Sequence, residues 1–101
     1  MNIHVTQHYF ERLRGLLGTN PEQLPFEALC INPCKGVHTI GMRYEIDLAW
    51  LDRRWRVLKT QRRVCPGRIC PAPAGTCRVL ERPARHGFWL QRGEYVAVDE
   101  Q

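Results

Sequence analysis

A run of alternating apolar and polar residues from Tyr44 to Leu51 constrains the fold more than any other part of this sequence. The even-numbered positions are apolar or aromatic, namely Tyr44, Ile46, Leu48 and Trp50. The odd-numbered positions are Glu45, Asp47, Ala49 and Leu51. Because successive side chains of a strand point to opposite faces, the run predicts a β-strand. Residues 52–54 follow as a polar turn, and apolar residues resume at Trp55. The whole stretch therefore predicts an antiparallel hairpin.

The rest of the chain predicts one small helix and several short strands. Apolar residues at three- and four-residue steps predict a helix from Thr6 to Gly18. Short apolar runs predict further strands, which are residues 26–31, 78–81 and 95–98. Three prolines and two glycines between Gln61 and Thr76 predict a long ordered loop that lies across the sheet.

These elements predict a mainly β fold, which is a compact antiparallel β-sandwich or barrel with one short N-terminal helix. The segment from residue 36 to 52 is expected to form a bend followed by the edge of a β-layer. With 101 residues and neither a repeat nor a linker, the chain is expected to be a single domain, 1–101.

The composition is that of an ordinary globular protein, with 44% hydrophobic and 25% charged residues. No apolar run approaches the roughly 18 residues that a transmembrane helix needs, so no membrane segment is expected. The first eight residues have neither the basic nor the apolar region of a signal peptide, and a cytoplasmic location is therefore expected.

The five cysteines, Cys30, Cys34, Cys65, Cys70 and Cys77, are an odd number in a reducing compartment, which argues against a disulfide framework. The spacings between the first two and between the next two are loose for zinc, and no histidine follows at finger-like spacing. We expect thiols packed as small hydrophobes, with a structural zinc site as the alternative. No metal and no cofactor is predicted.

The net charge of +5 comes from 13 arginines and only two lysines. Arginine suits planar, bidentate contacts to carboxylates or phosphates, so an anionic ligand or partner fits this surplus. A solvated surface explains the same surplus without any partner.

The order and spacing of several short motifs resemble those of the bacterial and archaeal family known as domain of unknown function 192. The motifs are residues 12–18, Pro33-Cys34, residues 37–43 (Val-His-Thr-Ile-Gly-Met-Arg), Ile46-Asp47, Leu51-Asp52, Pro66, Arg68, residues 79–81, Gly87 and Gly93. The resemblance covers nearly the whole chain. It implies a compact single-domain β-sandwich or barrel and supplies no established activity.

Two features depart from that family. Many relatives look exported or lipid-anchored, whereas no such leader is expected from the first residues of this sequence. The family's usual Ala-Gly pair before the final turn is replaced by Pro83-Ala84, so the end of the domain is expected to be remodelled.

Two residues of the central stretch are the first candidates for chemistry. His38 suits proton transfer or metal binding, although a lone histidine also serves to order a loop through backbone carbonyls. Asp47 lies among apolar residues and needs a partner if it is ionised. Arg43 is about 13 Å away along an extended strand, so a cross-strand partner such as Arg62 or Arg63 is expected. Asp47 then serves either as a structural ion pair or as a ligand contact.

A converging set of arginines is the second kind of candidate. Arg43, Arg62, Arg63 and Arg68 would form an anion or sugar site if the long loop crosses the hairpin, with Trp50 or Trp55 as a stacking wall. Glu81 is a second carboxylate that would make an acid/base pair with Asp47 if the fold brought them together. The ligand-binding candidates are therefore His38, Met42, Arg43, Asp47, Arg62, Arg63, Pro66, Arg68 and Glu81.

Three functions follow from these candidates. The first is a non-enzymatic module that binds a small ligand or a protein partner in a polar, cationic pocket under the loop from residue 61 to 76. The alternative is a small hydrolytic enzyme that uses His38 and Asp47. Weak nucleic-acid binding through an arginine-rich hairpin is the third, although strand alternation scatters those arginines over both faces and no nucleic-acid motif is present.

Overall fold

The structure is a computed structural model that describes residues 1–6 and 15–97. Seven β-strands and no helix make up the regular structure of these ranges, which confirms the prediction of a mainly β fold. The strands are β1 (Ile3–Val5), β2 (Ala28–Ile31), β3 (Gly36–His38), β4 (Ile46–Leu51), β5 (Val57–Val64), β6 (Ile69–Pro71) and β7 (Arg78–Pro83). No helix in the described ranges is long and apolar enough to cross a membrane.

The N-terminal helix predicted from Thr6 to Gly18 is not seen. Residues 7–14 lie outside the described ranges, and residues 15–18 form a turn. Gly15 and Gly18 both have positive φ angles, of 54° and 78°. An α-helix excludes that left-handed conformation, which explains why residues 15–18 are not helical.

The strands form two sheets. Five strands lie in the order β1-β2-β7-β4-β5, with β1 and β2 parallel and every other pair antiparallel, while β3 and β6 form a separate two-stranded antiparallel ribbon. Among the described residues the larger sheet does not close into a barrel. The strand β4 lies between β7 and β5, so the expectation that it forms the edge of a β-layer was wrong.

The predicted hairpin is confirmed as β4 and β5. The carboxylate of Asp52 accepts backbone hydrogen bonds from Arg54 and Arg56 at 2.8 and 3.0 Å, and Trp55 takes a positive φ of 65° in the turn. An aspartate whose carboxylate binds amides two residues onward is a common way to close a turn.

Parts of the predicted loop belong to regular structure. Residues 61–64 continue β5, where Gln61 pairs with Leu48 and accepts a 2.7 Å hydrogen bond from Trp50 Nε1. Further along the same stretch, β6 pairs with β3. A strand was expected at residues 95–98. Within the described residues, this stretch forms only an isolated β-bridge between Tyr95 and Arg56. Pro71 is the last residue of β6, so a proline at the end of this strand does not prevent its pairing with β3.

The two faces of the large sheet have different covers. One face packs Ala49, Leu51 and Leu80 against Trp89 and Leu90 of the C-terminal segment. The other face carries Ile46, Leu48, Trp50 and Val79, and is covered by Leu16 and by Cys70 of the ribbon. The alternation predicted along β4 is therefore confirmed, and the space between this second face and its cover holds the candidate site.

Candidate functional site: a cavity with a buried glutamate

A cavity of about 310 Å³ lies between the second face of the sheet, the turn at 15–18 and strand β3. Its apolar lining comes from the sheet, the turn, β3 and the loop after β3, and comprises Leu16, Leu17, Ile31, Val37, Met42 and Ile46. Its polar lining comprises Cys34, Lys35, His38 and Glu81. A cavity that combines apolar walls with a few converging polar groups is a common form of small-molecule site.

Glu81 lies in the middle of the sheet. It belongs to β7 and pairs with Leu29 of β2 on one side and with Leu48 of β4 on the other. This central position leaves the residue only 4% exposed. Burial raises the pKa of Glu81 to about 7, while a backbone hydrogen bond from Leu16 opposes the rise. A carboxyl group with such a perturbed pKa in a cavity is a good candidate for function.

The turn at residues 15–18 is fitted closely to this carboxyl group. A Cβ atom added at Gly15 would lie 3.2 Å from Oε1 of Glu81 and 3.3 Å from Cδ1 of Ile31. The carbonyl of Leu16 accepts a 2.6 Å hydrogen bond from the hydroxyl of Thr19, which also lies 2.6 Å from the hydroxyl of Tyr44. Glycine at position 15 therefore permits the close approach, and the polar contacts fix the turn.

Cys34 lines the same cavity as a protonated thiol. Its Sγ donates a hydrogen bond to the carbonyl of Gly36 at 3.1 Å, and its backbone amide donates to the carbonyl of Cys77 at 2.9 Å. Burial, above all, raises the pKa of the Cys34 thiol, and the nearby Glu81 raises it further. Because the thiolate is the reactive form, this environment suppresses nucleophilic chemistry at Cys34.

Two exposed cationic or titratable side chains lie at the mouth of the cavity. Lys35 directly precedes β3 and His38 is the last residue of that strand, and both line the cavity. His38 is exposed, whereas its neighbour Val37 packs against the core cluster of the large sheet. The mouth is therefore more polar than the interior.

The motif from His38 to Arg43 has a clear structural basis in Thr39, which is fully buried. The hydroxyl of Thr39 donates to the carbonyl of Cys65 at 2.6 Å and accepts from the amide of Arg68 at 2.8 Å. Gly41 has a φ of 88°, and a Cβ atom there would lie 3.2 Å from Cδ1 of Leu17. These two residues hold the loop that presents Met42 to the cavity, and neither was predicted as a site residue.

Asp47 lies on the opposite face of the sheet from Glu81. It is fully buried, its Oδ2 accepts a 2.9 Å hydrogen bond from Nε of Arg82, and its Oδ1 accepts one of 3.0 Å from the amide of Arg63. Arg62 Nε lies 3.9 Å from Oδ1. Arg63 sits at a register shift of β5 with a φ of 52°, so Asp47 stabilises a β-bulge. The predicted cross-strand partners are present, but the main cation is Arg82.

The arginines predicted to converge are held apart. Arg62 donates to the carbonyls of Arg85 and Gly87 at 2.6 and 3.1 Å, and Arg63 forms a 3.2 Å salt bridge with Glu45. The Arg62 contacts attach β5 to the segment after β7, and the Arg63 salt bridge attaches it to the residue before β4. Arg43 instead lines a neighbouring cavity of about 380 Å³ with Met42 and Tyr44.

The remaining candidates also lie apart from one another. Pro66 and Arg68 are exposed in the turn that Thr39 anchors. Trp50 is fully buried, and Trp55 is half-buried with the guanidinium of Arg78 4.3 Å from its ring centroid. Of the nine predicted ligand-binding residues, the cavity therefore contains His38, Met42 and Glu81. The residues that the prediction missed are Gly15 and Cys34, whose roles come from close packing.

The described residues contain no group of three or more His, Cys, Asp or Glu side chains arranged to hold a metal ion. Cys34, Cys65, Cys70 and Cys77 are free thiols.

No protein-family model and no curated protein matches the chain. A solved structure of a protein of unknown function from Novosphingobium aromaticivorans DSM 12444 is similar, with a TM-score of 0.65 and 16% sequence identity. The match covers 81% of this chain and 62% of that one, so the chain spans less than two thirds of its length. At this identity the likeness concerns the fold alone.

Proposed function

We propose that this protein is a binding module that holds a small, largely apolar molecule in the Glu81 cavity without transforming it. The observation that supports this most directly is a buried carboxyl group in the wall of a cavity that also has several apolar side chains in its lining. An apolar body fills such a space, and a single polar group of the ligand meets Glu81.

The arrangement of the polar groups favours binding over catalysis. The Cys34 thiol has a raised pKa and donates to a backbone carbonyl. Asp47, the proposed partner of His38 in a hydrolytic enzyme, lies on the other face of the sheet and binds Arg82. Within the described ranges no pair of nucleophile and base is therefore assembled at the cavity.

The arginine-rich hairpin gives less support to nucleic-acid binding. Arg62 and Arg63 are engaged with backbone carbonyls and with Glu45. Phosphate contacts would have to replace these interactions.

We further infer a distant relationship to the family of domain of unknown function 192. The structural roles of Thr39 and Gly41 support it, since they give two positions of the shared motif a function in holding the loop. The free thiols are in keeping with a reducing compartment such as the cytoplasm.

The test is a fragment screen followed by two-dimensional amide NMR. Compounds that bind are expected to shift amides around the cavity, including those of Leu17 and Val37. Val37→Trp fills the cavity and is expected to abolish binding, while Leu58→Trp, a matched change on β5, is expected to leave it intact. Binding that survives Val37→Trp, or shifts confined to another surface, would refute the proposal. Recovery of a chemically altered ligand would establish the enzymatic alternative instead.

A further inference from the structure

The environment of Glu81 points to the chemical class of the occupant. Among the described residues no Arg, Lys or His forms a salt bridge with the carboxyl group of Glu81. The salt bridges in this part of the chain involve Asp47, which pairs with Arg62 and Arg82, and Glu45, which pairs with Arg63. Glu81 is only 4% exposed and faces a cavity. A buried carboxylate of this kind is stabilised by a cation brought next to it, and it repels an anion.

We propose that the occupant is an organic amine whose ammonium group lies against Glu81 and whose short apolar body fills the cavity. This inference depends on the proposed function, because it names the ligand class for the same site. The apolar wall provided by Leu16, Ile31 and Met42 contacts the body of the amine. Any polar or anionic outer end lies at the mouth, where Lys35 is exposed.

The size of the cavity limits the amine to a small one. Its volume of about 310 Å³ is at the lower end of the range for ligand sites. The close approach of Gly15 to Oε1 of Glu81 leaves no room for a side chain on that side, so the ammonium group must approach from the cavity.

Proton release distinguishes an amine from a neutral ligand. Burial raises the pKa of Glu81 to about 7, so an ammonium group that binds at lower pH displaces the proton of the carboxyl group. The affinity of an amine therefore rises with pH up to about 7, by up to tenfold per pH unit. A neutral alcohol of the same shape displaces no proton.

The titratable groups around Glu81 lie on several elements. Cys34, Tyr44 and Cys70 have pKa values raised mainly by burial, from ordinary values of 9.0, 10.0 and 9.0, so they stay protonated in this range. Lys35 and His38 lie at the mouth. The His38→Gln variant shows whether His38 contributes to the observed proton release.

The experiment compares n-pentylamine, n-pentanol and pentanoate by amide NMR and by calorimetry in two buffers of different ionisation enthalpy. We expect pentylamine to bind at least tenfold more tightly than the other two, with release of a proton at about pH 6. Glu81→Gln keeps the shape of the side chain and is expected to weaken pentylamine at least tenfold while changing pentanol little. Should that variant fail to fold, proton release by the natural chain and by His38→Gln decides the question.

The outcomes separate the two proposals. If pentanol or pentanoate shifts the cavity amides as strongly as pentylamine, or if no proton is released, the site binds ligands but the amine inference is wrong. If none of the three probes and no fragment shifts those amides, the proposed binding function fails as well.

Discussion

Nε of Arg82 donates a 2.9 Å hydrogen bond to Oδ2 of Asp47, and both residues are buried. The guanidinium of Arg82 also lies 4.3 Å from the ring centroid of Trp89, whose Nε1 donates to the carbonyl of Leu48. The pair therefore joins β4, β7 and the C-terminal segment on the face of the sheet away from the cavity.

Asp47→Ala is expected to lower the free energy of unfolding by about 3–5 kcal/mol, because it leaves the buried charge of Arg82 unpaired. It also removes the acceptor of the Arg63 amide in the bulge. Urea unfolding followed by tryptophan fluorescence measures the change.

The control for this prediction replaces both partners. Asp47→Leu combined with Arg82→Met removes both charges and is expected to recover most of the lost stability, since two apolar side chains of similar volume leave no buried charge. A double variant as unstable as Asp47→Ala would show that the pair acts chiefly through the bulge.

Gly15→Ala is expected to destabilise the protein more than Gly18→Ala does. Both glycines have positive φ, which costs an alanine about 1–2 kcal/mol. Only at Gly15 would the new Cβ meet other atoms, at 3.2 and 3.3 Å, whereas nothing lies within 4 Å at Gly18. Crowding adds about 1–3 kcal/mol at Gly15. Equal losses for the two variants in thermal unfolding would contradict the close approach to Glu81.

The stability of the protein is expected to depend on the ionisation of Glu81. Its pKa is raised from 4.5 to about 7, so the folded chain holds this proton more tightly than the unfolded chain does. The resulting stability is fully present below about pH 4.5 and is lost as the pH rises through 7, by about 3 kcal/mol in total.

The measurement is the difference in unfolding free energy between the natural chain and Glu81→Gln at several pH values. The titrations of other groups cancel in this difference. As the pH increases, the natural chain is expected to lose stability relative to the glutamine variant. A difference that is constant from about pH 5 to about pH 8 would show that Glu81 is not desolvated.

The sequence predicted the parts of the fold that depend on local pattern. The alternation from residue 44 to 51 was enough to identify β4 and its two faces, because the period of two is a property of the strand itself. It did not reveal that β4 is central, since that depends on β7 pairing with it from 27 or more residues away. The ribbon of β3 and β6 was not predicted, because its pairing also joins distant segments. In addition, each of these strands has only three residues, which is too short for a clear pattern.

The candidate site was predicted in part. Glu81 and His38 were selected as chemical groups, and both line the cavity. Asp47 was grouped with them because of its charge, but sheet pairing puts it opposite Arg82 in β7, on the other face. Gly15 could not have been selected, because its role is a distance to Oε1 of Glu81 that no local pattern encodes.

The reactivity of the thiols offers a final test of the cavity. Cys65 is exposed and Cys77 is half-buried, whereas Cys34 and Cys70 are buried and have pKa values raised chiefly by desolvation. We expect an aromatic disulfide reagent to modify Cys65 first, Cys77 next, and Cys34 and Cys70 only slowly, since the thiolate must form and be reached. The fast phase should disappear in Cys65→Ser, and mass spectrometry of digested protein assigns each phase. A Cys34 that reacts before Cys65 would instead indicate an activated nucleophile in the cavity and would favour the enzymatic alternative.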